Sequence, residues 1–239
     1  MNTMPRKILV TGASAGIGKA TCQKLLADGH QVIGLARDFS KLPITDNAFT
    51  PISLDLEALE ALPTQLQTLA KEHHDIDAVI CCAGRGQFGS LEEFSYEQIR
   101  SLIDLNFISQ AYIARAFLPV LKRQQSGTLI FIGSEAALRG SRKGSIYCAS
   151  KFAVRGLAQA LRDECSKSGV SVSIVNPGMV KTGFFDQLSF THGDDKDNYL
   201  LPEDVADAIA LIINARGSAV LDEINLSPLK NVVQPKPAN

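Results

Sequence analysis

Short apolar runs alternate with longer segments of helical periodicity along the whole chain. The apolar runs predict seven strands, at residues 7–11, 31–36, 50–54, 78–82, 128–133, 170–176 and 219–226. Several of them, such as the run at 129–132, are apolar at every position, which is typical of strands covered on both faces. Helical periodicity predicts five helices between them, at residues 16–28, 56–73, 95–123, 145–168 and 202–215.

This alternation predicts the class of the fold. It indicates an α/β architecture, a doubly wound parallel sheet of about seven strands with right-handed crossovers and helices on both faces. No internal repeat or linker interrupts the pattern, so we expect residues 1–239 to form a single domain. The segment after Pro228 contains further prolines, and we expect it to be loose.

Composition and charge restrict the classes of function. Hydrophobic residues make up 45% of the chain, enough for a sizeable core. The formal net charge is -1, so we expect neither nucleic acid nor an anionic membrane as a partner. Because no apolar run resembles a signal peptide or approaches the ~20 residues of a membrane helix, we expect a cytoplasmic protein. Five cysteines without metal-ligand spacing predict reduced thiols and no metal site.

A glycine-rich turn at residues 11–18 follows the first predicted strand and opens the first helix. Glycines there allow a tight turn, a close approach of the backbone to a pyrophosphate and close packing of helix on sheet. The amides and the helix dipole favour phosphate. A plain turn is the alternative, but the flanking strand and helix favour a dinucleotide site. We assign cofactor contacts to Gly12, Ser14, Ala15, Gly16, Ile17 and Gly18.

The end of the second predicted strand bears on the choice of dinucleotide. NAD sites usually place an acidic side chain there, whereas an arginine suits the 2′-phosphate of NADP. Arg37 provides a planar, permanently charged fork, while Asp38 offers a late carboxylate and a solvated arginine is a further alternative. We expect NADP(H), with NAD(H) as the alternative, and place the adenine near Asp55 and Leu56.

Two polar features interrupt predicted apolar helix faces. Tyr147 and Lys151 are four residues apart and share one face, where an ammonium would lower the pKa of a phenol towards the range useful for proton transfer. A half-buried ring beside a solvated amine is the alternative. Asn106 lies on the apolar face of the helix at 95–123. A buried amide must be hydrogen-bonded, so it serves either a polar site with ordered water or a neighbouring carbonyl.

These motifs resemble those of the short-chain dehydrogenase/reductase family over nearly the whole chain. The family's T-G-x-x-x-G-x-G pattern is met at residues 11–18 and its Y-x-x-x-K pattern at Tyr147 and Lys151. The family serine thirteen residues before the tyrosine corresponds to Ser134, and the mid-helix asparagine corresponds to Asn106. The family's Asn-Ala-Gly reads Cys82-Ala83-Gly84 here, a departure that removes a hydrogen-bonding side chain.

The resemblance implies a Rossmann-type NAD(P)-binding domain with a small substrate lid at about residues 183–201. It implies an oxidoreductase that moves a hydride between NADPH and a carbonyl or alcohol, with Asn106, Ser134, Tyr147 and Lys151 as catalytic residues. Tyr147 would be the acid/base, Ser134 would bond the substrate oxygen, Lys151 would hold ribose hydroxyls and Asn106 a water. Homodimers or homotetramers are expected. Further cofactor contacts fall on Ala83, Gly84, Pro177, Gly178, Val180 and Thr182, besides Tyr147 and Lys151.

Alternatives in function and substrate stay open at this level. A non-catalytic NADP-binding sensor or scaffold would retain the fold, and an epimerase or dehydratase would share the Tyr/Lys pair. Apolar side chains in the lid segment suggest an apolar pocket, whereas Arg85, Gln87 and Arg139 would reach an acidic substrate group unless they are surface residues. A hydroxy acid, an acyl thioester and an apolar aldehyde or ketone are all compatible with the sequence. The apolar lid residues are Phe184, Phe185, Leu188 and Phe190.

Overall fold

The computed structural model describes residues 4–40, 42 and 44–236. Within these residues the chain forms nine strands, seven of them in one parallel sheet of order β3-β2-β1-β4-β5-β6-β8 and two in a separate antiparallel pair, β7 and β9. The strands are β1 (Lys7–Thr11), β2 (Gln31–Ala36), β3 (Phe49–Ser53), β4 (Ala78–Cys81), β5 (Gly127–Ile132), β6 (Val170–Pro177), β7 (Phe190–His192), β8 (Glu223–Leu226) and β9 (Val233–Pro235).

Helices cover both faces of the sheet. On one face α1 packs with α6, and on the other α2 packs with α4, beside α5. Between α3 and α4 the chain continues through a π-helical turn, Asp104–Ile108, so the three segments form one uninterrupted helical stretch. The helices are α1 (Gly16–Ala27), α2 (Leu62–Glu72), α3 (Tyr96–Ile103), α4 (Ser109–Gln124), α5 (Ser145–Cys165) and α6 (Pro202–Ile213).

The core consists of two apolar clusters separated by the sheet. Successive strand residues point to opposite faces, so in β1 Leu9 joins the cluster beneath α2, α4 and α5, while Ile8 and Val10 join the one beneath α1 and α6. All six residues of β5 are buried. The continuous apolar runs of the sequence therefore mark strands covered on both faces, which confirms the predicted doubly wound fold.

The boundaries differ from the sequence prediction in two helices. The helix expected from residue 56 begins at Leu62, because the Asp55 carboxylate accepts a hydrogen bond from the Glu57 amide and holds the chain in turns. The long helix expected at 95–123 contains the π turn around Asn106. A hydrophobic stripe alone does not reveal such a turn, since one extra residue barely alters the spacing.

The expectation of a loose tail after Pro228 is wrong for residues 229–236, while residues 237–239 lie outside the described residues. Val233–Pro235 pairs with Phe190–His192 in an antiparallel register, and the Lys236 amide bonds the Ser189 carbonyl at 2.8 Å. The segment is too short to carry a strand pattern, and its partner lies about forty residues earlier in the chain. Within the described residues, no helix has both the length and the apolar character needed to cross a membrane.

Candidate active site

The glycine-rich turn between β1 and α1 forms one end of the candidate active site. Gly12 and Gly16 have φ angles of +66° and +51°, in the left-handed region that favours glycine. A Cβ atom at Gly12 would lie 3.0 Å from the Ala83 Cα, and one at Gly18 would overlap the Gly12 carbonyl oxygen. The motif therefore uses glycine where two stretches of backbone approach each other.

The first turn of α1 fits an anion. Ala15, its N-cap residue, provides no side-chain hydrogen bond, and the first turn contains no acidic residue. The first amides of a helix lack intrahelical partners and lie at the positive end of the dipole. Ser14 and Ile17 are partly exposed in the same turn. These residues suit the pyrophosphate of a dinucleotide.

A cavity of about 270 Å³ opens beside this turn. Thr182 lies against the turn, since a Cβ atom at Gly16 would be 3.3 Å from the Thr182 Cγ2. Lys19 and Lys181 line the cavity together with Glu203, so the two lysines leave a net positive charge close to the α1 N-terminus. Sequence reasoning did not identify these two lysines, although Lys19 directly follows the last glycine of the motif.

The carboxyl end of β2 carries the residues that the sequence predicted at the adenosine end of the cofactor. The Arg37 side chain is 73% exposed there and can turn towards a ligand. The Asp38 carboxylate accepts hydrogen bonds from the Ser40 amide at 2.7 Å and the Ser40 hydroxyl at 2.8 Å. The carboxylate that competed with Arg37 in the sequence is thus engaged in a local turn. Nearby, Asp55 is exposed and Leu56 is buried at the end of β3.

Arg85 belongs to an ion-pair network beneath this end. Its Nη1 donates to the Glu57 Oε1 at 2.6 Å and its Nη2 to the Ser101 Oγ at 2.6 Å. The Ser101 hydroxyl donates in turn to the Glu57 Oε2 at 3.2 Å. Arg85 was a candidate to reach an acidic substrate group, but these bonds direct its fork to α3 and Glu57. Glu57 also lies 4.0 Å from the Arg37 Nη1.

Asn106 lies in the π turn and is fully buried. Its Oδ1 accepts a hydrogen bond from the Arg85 amide at 2.9 Å, and its Nδ2 donates to the Arg85 carbonyl at 3.0 Å and the Ser150 Oγ at 3.1 Å. Both amide protons are therefore directed to protein groups. The bond to the Arg85 carbonyl is the alternative that the sequence left open. Together with the bond to Ser150, it connects the loop after β4 to α5.

Ser134, Tyr147 and Lys151 converge at the carboxyl edge of the sheet. Ser134 follows β5, and its Oγ accepts from the Ala136 amide at 3.1 Å, while its side chain lies close enough to the Tyr147 phenol to affect the pKa of that phenol. Tyr147 lies in the first turn of α5 and is 6% exposed. One turn later the Lys151 Nζ donates to the Ile132 carbonyl at 2.9 Å, 6.0 Å from the centre of the tyrosine ring.

Burial dominates the electrostatics of this group. It raises the pKa of Tyr147 to about 12, an effect reduced by the nearby Ser134 hydroxyl and enhanced by Cys148 and Glu135. It lowers the pKa of Lys151 to about 8. The lowering of the Tyr147 pKa expected from its lysine neighbour is not found, because desolvation of the phenolate is the larger effect. At neutral pH the tyrosine is a protonated phenol.

The loop after β4 completes the edge. The Ala83 amide donates to the Thr11 Oγ1 at 3.1 Å, and a Cβ atom at Gly84 would lie 3.2 Å from the Asn106 Oδ1. Gln110, which sequence reasoning missed, donates to the Ala83 carbonyl at 3.1 Å. Burial raises the pKa of the Cys82 thiol to about 12, which suits a structural cysteine. Gln110, one turn after Asn106, steadies the loop where the family asparagine is absent.

The turn after β6 carries the remaining residues expected at the cofactor. Pro177 ends β6, and the Gly178 amide donates to the Leu226 carbonyl at 2.8 Å. Val180 forms a bridge with Leu200. Because β5 and β6 are parallel neighbours, these residues lie at the same carboxyl edge of the sheet as Ser134.

A cluster of aromatic rings covers Tyr147. Phe88 and Phe184 contact it with ring centres 5.0 and 5.8 Å away. Phe185 and Phe190 extend the cluster. The sequence predicted an apolar wall from the lid segment, but it did not identify Phe88, which comes from the loop after β4.

A parallel sheet with a glycine-rich turn and a buried Ser–Tyr–Lys group at its carboxyl edge is the arrangement of a class of dinucleotide-binding oxidoreductases. A family model described as short chain dehydrogenase matches residues 6–192. The chain belongs to this family, which confirms the resemblance seen in its motifs. It is an oxidoreductase of the short-chain dehydrogenase/reductase type.

Individual relatives support this assignment. An uncharacterized oxidoreductase of Staphylococcus epidermidis is 28% identical over 225 residues, covering 92% of this chain and 96% of that protein. The 17-beta-hydroxysteroid dehydrogenase type 1 of Mus musculus is 33% identical over 195 residues, covering 77% of this chain and 57% of that protein. The alcohol dehydrogenase of Thermococcus sibiricus, solved with 5-hydroxy-NADP, superposes with a TM-score of 0.84 at 26% identity, covering 95% of this chain and 98% of that one.

Proposed function

We propose that the protein transfers a hydride reversibly between NADPH and a carbonyl or alcohol substrate, with Tyr147 as the acid/base. The observation that carries this proposal is the convergence of Ser134, Tyr147 and Lys151 at one edge of the sheet, beside the glycine-rich turn. A buried phenol with a serine and a lysine around it is a proton-transfer group. A purely structural tyrosine would not need either partner.

When bound, the dinucleotide supplies the hydride chemistry. In the reduction direction the Tyr147 phenol donates its proton to the carbonyl oxygen, and its raised pKa keeps it in the protonated form that can do so. The Ser134 hydroxyl hydrogen-bonds the same oxygen. Lys151 holds ribose hydroxyls, and its charge stabilises the phenolate left by the transfer. Oxidation of an alcohol follows the reverse path.

Asn106 acts by positioning in this scheme. Its amide fixes the backbone of Arg85 and the Ser150 hydroxyl, which holds the loop after β4 against α5. The family resemblance implies that Asn106 also holds a water in the proton path. The second lone pair of its Oδ1 atom is available to accept a hydrogen bond from that water.

We also propose that the protein forms homodimers or homotetramers through α4 and α5. A sedimentation experiment that shows only a monomer would exclude both.

The preference for NADP is part of the proposal. The exposed guanidinium of Arg37 and the engagement of Asp38 with Ser40 support it. The solved Thermococcus sibiricus alcohol dehydrogenase, which is complexed with 5-hydroxy-NADP, supports it as well. Lys19 and Lys181 provide further positive charge for the phosphates.

The experiment is a measurement of NADPH and NADH oxidation against a panel of carbonyls. The panel contains oxo acids, oxoacyl thioesters, aromatic aldehydes and diketones. We expect oxidation of NADPH with at least one class, and slower oxidation of NADH. Tight NADPH binding without turnover of any carbonyl would contradict an enzyme and favour a sensor or scaffold.

A further inference from the structure

The aromatic cluster over Tyr147 bounds the space that a substrate must enter. Phe88 contacts both Tyr147 and Phe190, each with ring centres 5.0 Å apart, and Phe184 packs edge-on against Tyr147. The phenol, whose hydroxyl must meet a substrate oxygen, is 6% exposed beneath these rings. A molecule that reaches it exchanges ring–ring contacts for contacts with its own body, which favours an apolar ring.

Contacts with neighbouring segments hold the backbone that carries these aromatic rings in place. A Cβ atom at Gly86 would overlap the Phe184 ring, so the ring lies directly on the loop after β4. The Phe184 amide donates to the Thr182 Oγ1 at 3.2 Å. The Lys236 ammonium donates to the carbonyls of Phe185 and Asp186, which ties the start of the lid to the residue after β9. The apolar surface is thus held in place over the tyrosine.

The charged groups around the pocket oppose an anionic substrate. The Arg85 fork is bound to Glu57 and Ser101 and is directed away from the pocket. Glu135 follows Ser134 directly, and its Oε2 would lie 3.2 Å from a Cβ atom at Gly178, between the two loops that flank the site. Burial raises the pKa of this carboxyl, an effect that the nearby charge of Arg139 reduces. A substrate carboxylate placed beside Glu135 would face a second carboxyl group in a partly buried position, and it would be repelled when that group is ionised.

We propose that the substrate is an uncharged carbonyl compound with an apolar ring, and that Glu135 excludes analogues with a carboxylate beside the reacting carbonyl. This inference rests on the proposed function and deepens it. The ring stacks on Phe184 and Phe88, while Ser134 and Tyr147 bind the carbonyl oxygen. Glu135 is a specificity-determining residue for this reaction.

The test compares methyl benzoylformate with benzoylformate. Both carry the same phenyl ketone, but the ester is neutral and the acid is negatively charged. With NADPH and the wild-type protein, we expect kcat/KM to favour the ester by at least about tenfold, because the acid places its carboxylate beside the Glu135 carboxyl. In Glu135→Gln, which preserves shape, the ratio narrows about tenfold through faster turnover of the acid. Thermal unfolding checks that the variant is folded.

A second variant tests the ring contacts. Phe184→Ala lowers kcat/KM for the ester about tenfold, with a smaller loss for acetone, because only the larger ketone contacts that ring. Leu211→Ala is the control, since Leu211 is 59% exposed on α6. Binding of the ester to the NADPH complex of Tyr147→Phe, measured by calorimetry, gives a readout independent of turnover, and there too the acid binds more weakly.

The outcomes separate this inference from the proposed function. Preference for benzoylformate, or the same ester-to-acid ratio in wild type and Glu135→Gln, overturns the inference while NADPH-dependent reduction stands. An equal loss for ester and acetone in Phe184→Ala overturns the ring contact. If no carbonyl oxidises NADPH, the proposed function fails and this inference fails with it.

Discussion

The glycine-rich edge and the aromatic lid meet at Tyr147, and they are built in opposite ways. The edge uses backbone: Gly12 and Gly18 allow close approaches that any Cβ atom would prevent. The lid uses side chains: rings from distant segments pack on one another, and the tail fastens them through Lys236. Cofactor binding therefore depends on local conformation, whereas substrate choice depends on long-range packing. Substitutions on the two sides should separate accordingly.

The largest effect is expected at the point where the two regions meet. Tyr147→Phe removes the hydroxyl and keeps the ring contacts, so turnover should fall by ~10²–10⁴, the range for loss of a general acid. NADPH binding, followed by fluorescence, should change far less. Tyr96→Phe is the matched control, because Tyr96 is 89% exposed at the start of α3. Turnover near the wild-type level in Tyr147→Phe would rule out the assigned acid.

A smaller effect is expected at the adenosine end. Arg37→Ala should weaken NADPH binding by about 1.5–3 kcal/mol, the range for a charged hydrogen-bond partner, and leave NADH nearly unchanged. Dissociation constants for the two dinucleotides measure this directly. Arg100→Ala serves as the control, since Arg100 lies on α3, is 85% exposed and pairs with Asp104 in the π turn. Equal losses for both dinucleotides would show that Arg37 does not recognise the 2′-phosphate.

The backbone character of the edge can be tested with two glycines. A methyl group at Gly18 would overlap the Gly12 carbonyl oxygen, so Gly18→Ala should destabilise the fold by about 1–3 kcal/mol, as overpacking does. Gly156 lies in α5 with nothing within 4 Å of an added Cβ. Gly156→Ala should instead stabilise it by about 0.5–1 kcal/mol. Urea unfolding measures both, and similar values for the two variants would refute the packing argument.

The smallest effect concerns pH. Burial lowers the pKa of Lys151 from 10.5 to about 8, so between these pH values the unfolded chain binds more protons than the folded one. The destabilisation caused by this lysine is therefore complete below pH 8 and is relieved as pH rises. The melting temperature of Lys151→Met should therefore be higher than that of the wild type. We expect this difference to shrink as the pH rises from about 7.5 to 9.5. A constant margin would contradict the lowered pKa.

The features that could be predicted from the sequence are the local ones, and those that could not are the long-range contacts. The turn at Gly12 and the pair Tyr147 and Lys151 depend on spacing within one turn of chain, so local patterns identified them. The network of Arg85 and Glu57 and the pairing of the tail with the lid join segments far apart in sequence. No periodicity encodes those contacts. The side-chain partners of Asn106 could not be predicted for the same reason, although its burial could.

The central claim is that a hydride moves between NADPH and a carbonyl carbon beside Tyr147. Deuterium transfer tests it most directly: NADPH deuterated at the transferable position is incubated with the protein and methyl benzoylformate, and the alcohol is analysed by mass spectrometry. We predict one deuterium on the carbinol carbon with wild type and very little product with Tyr147→Phe. Bound NADPH with no labelled alcohol from any carbonyl tried would contradict the claim.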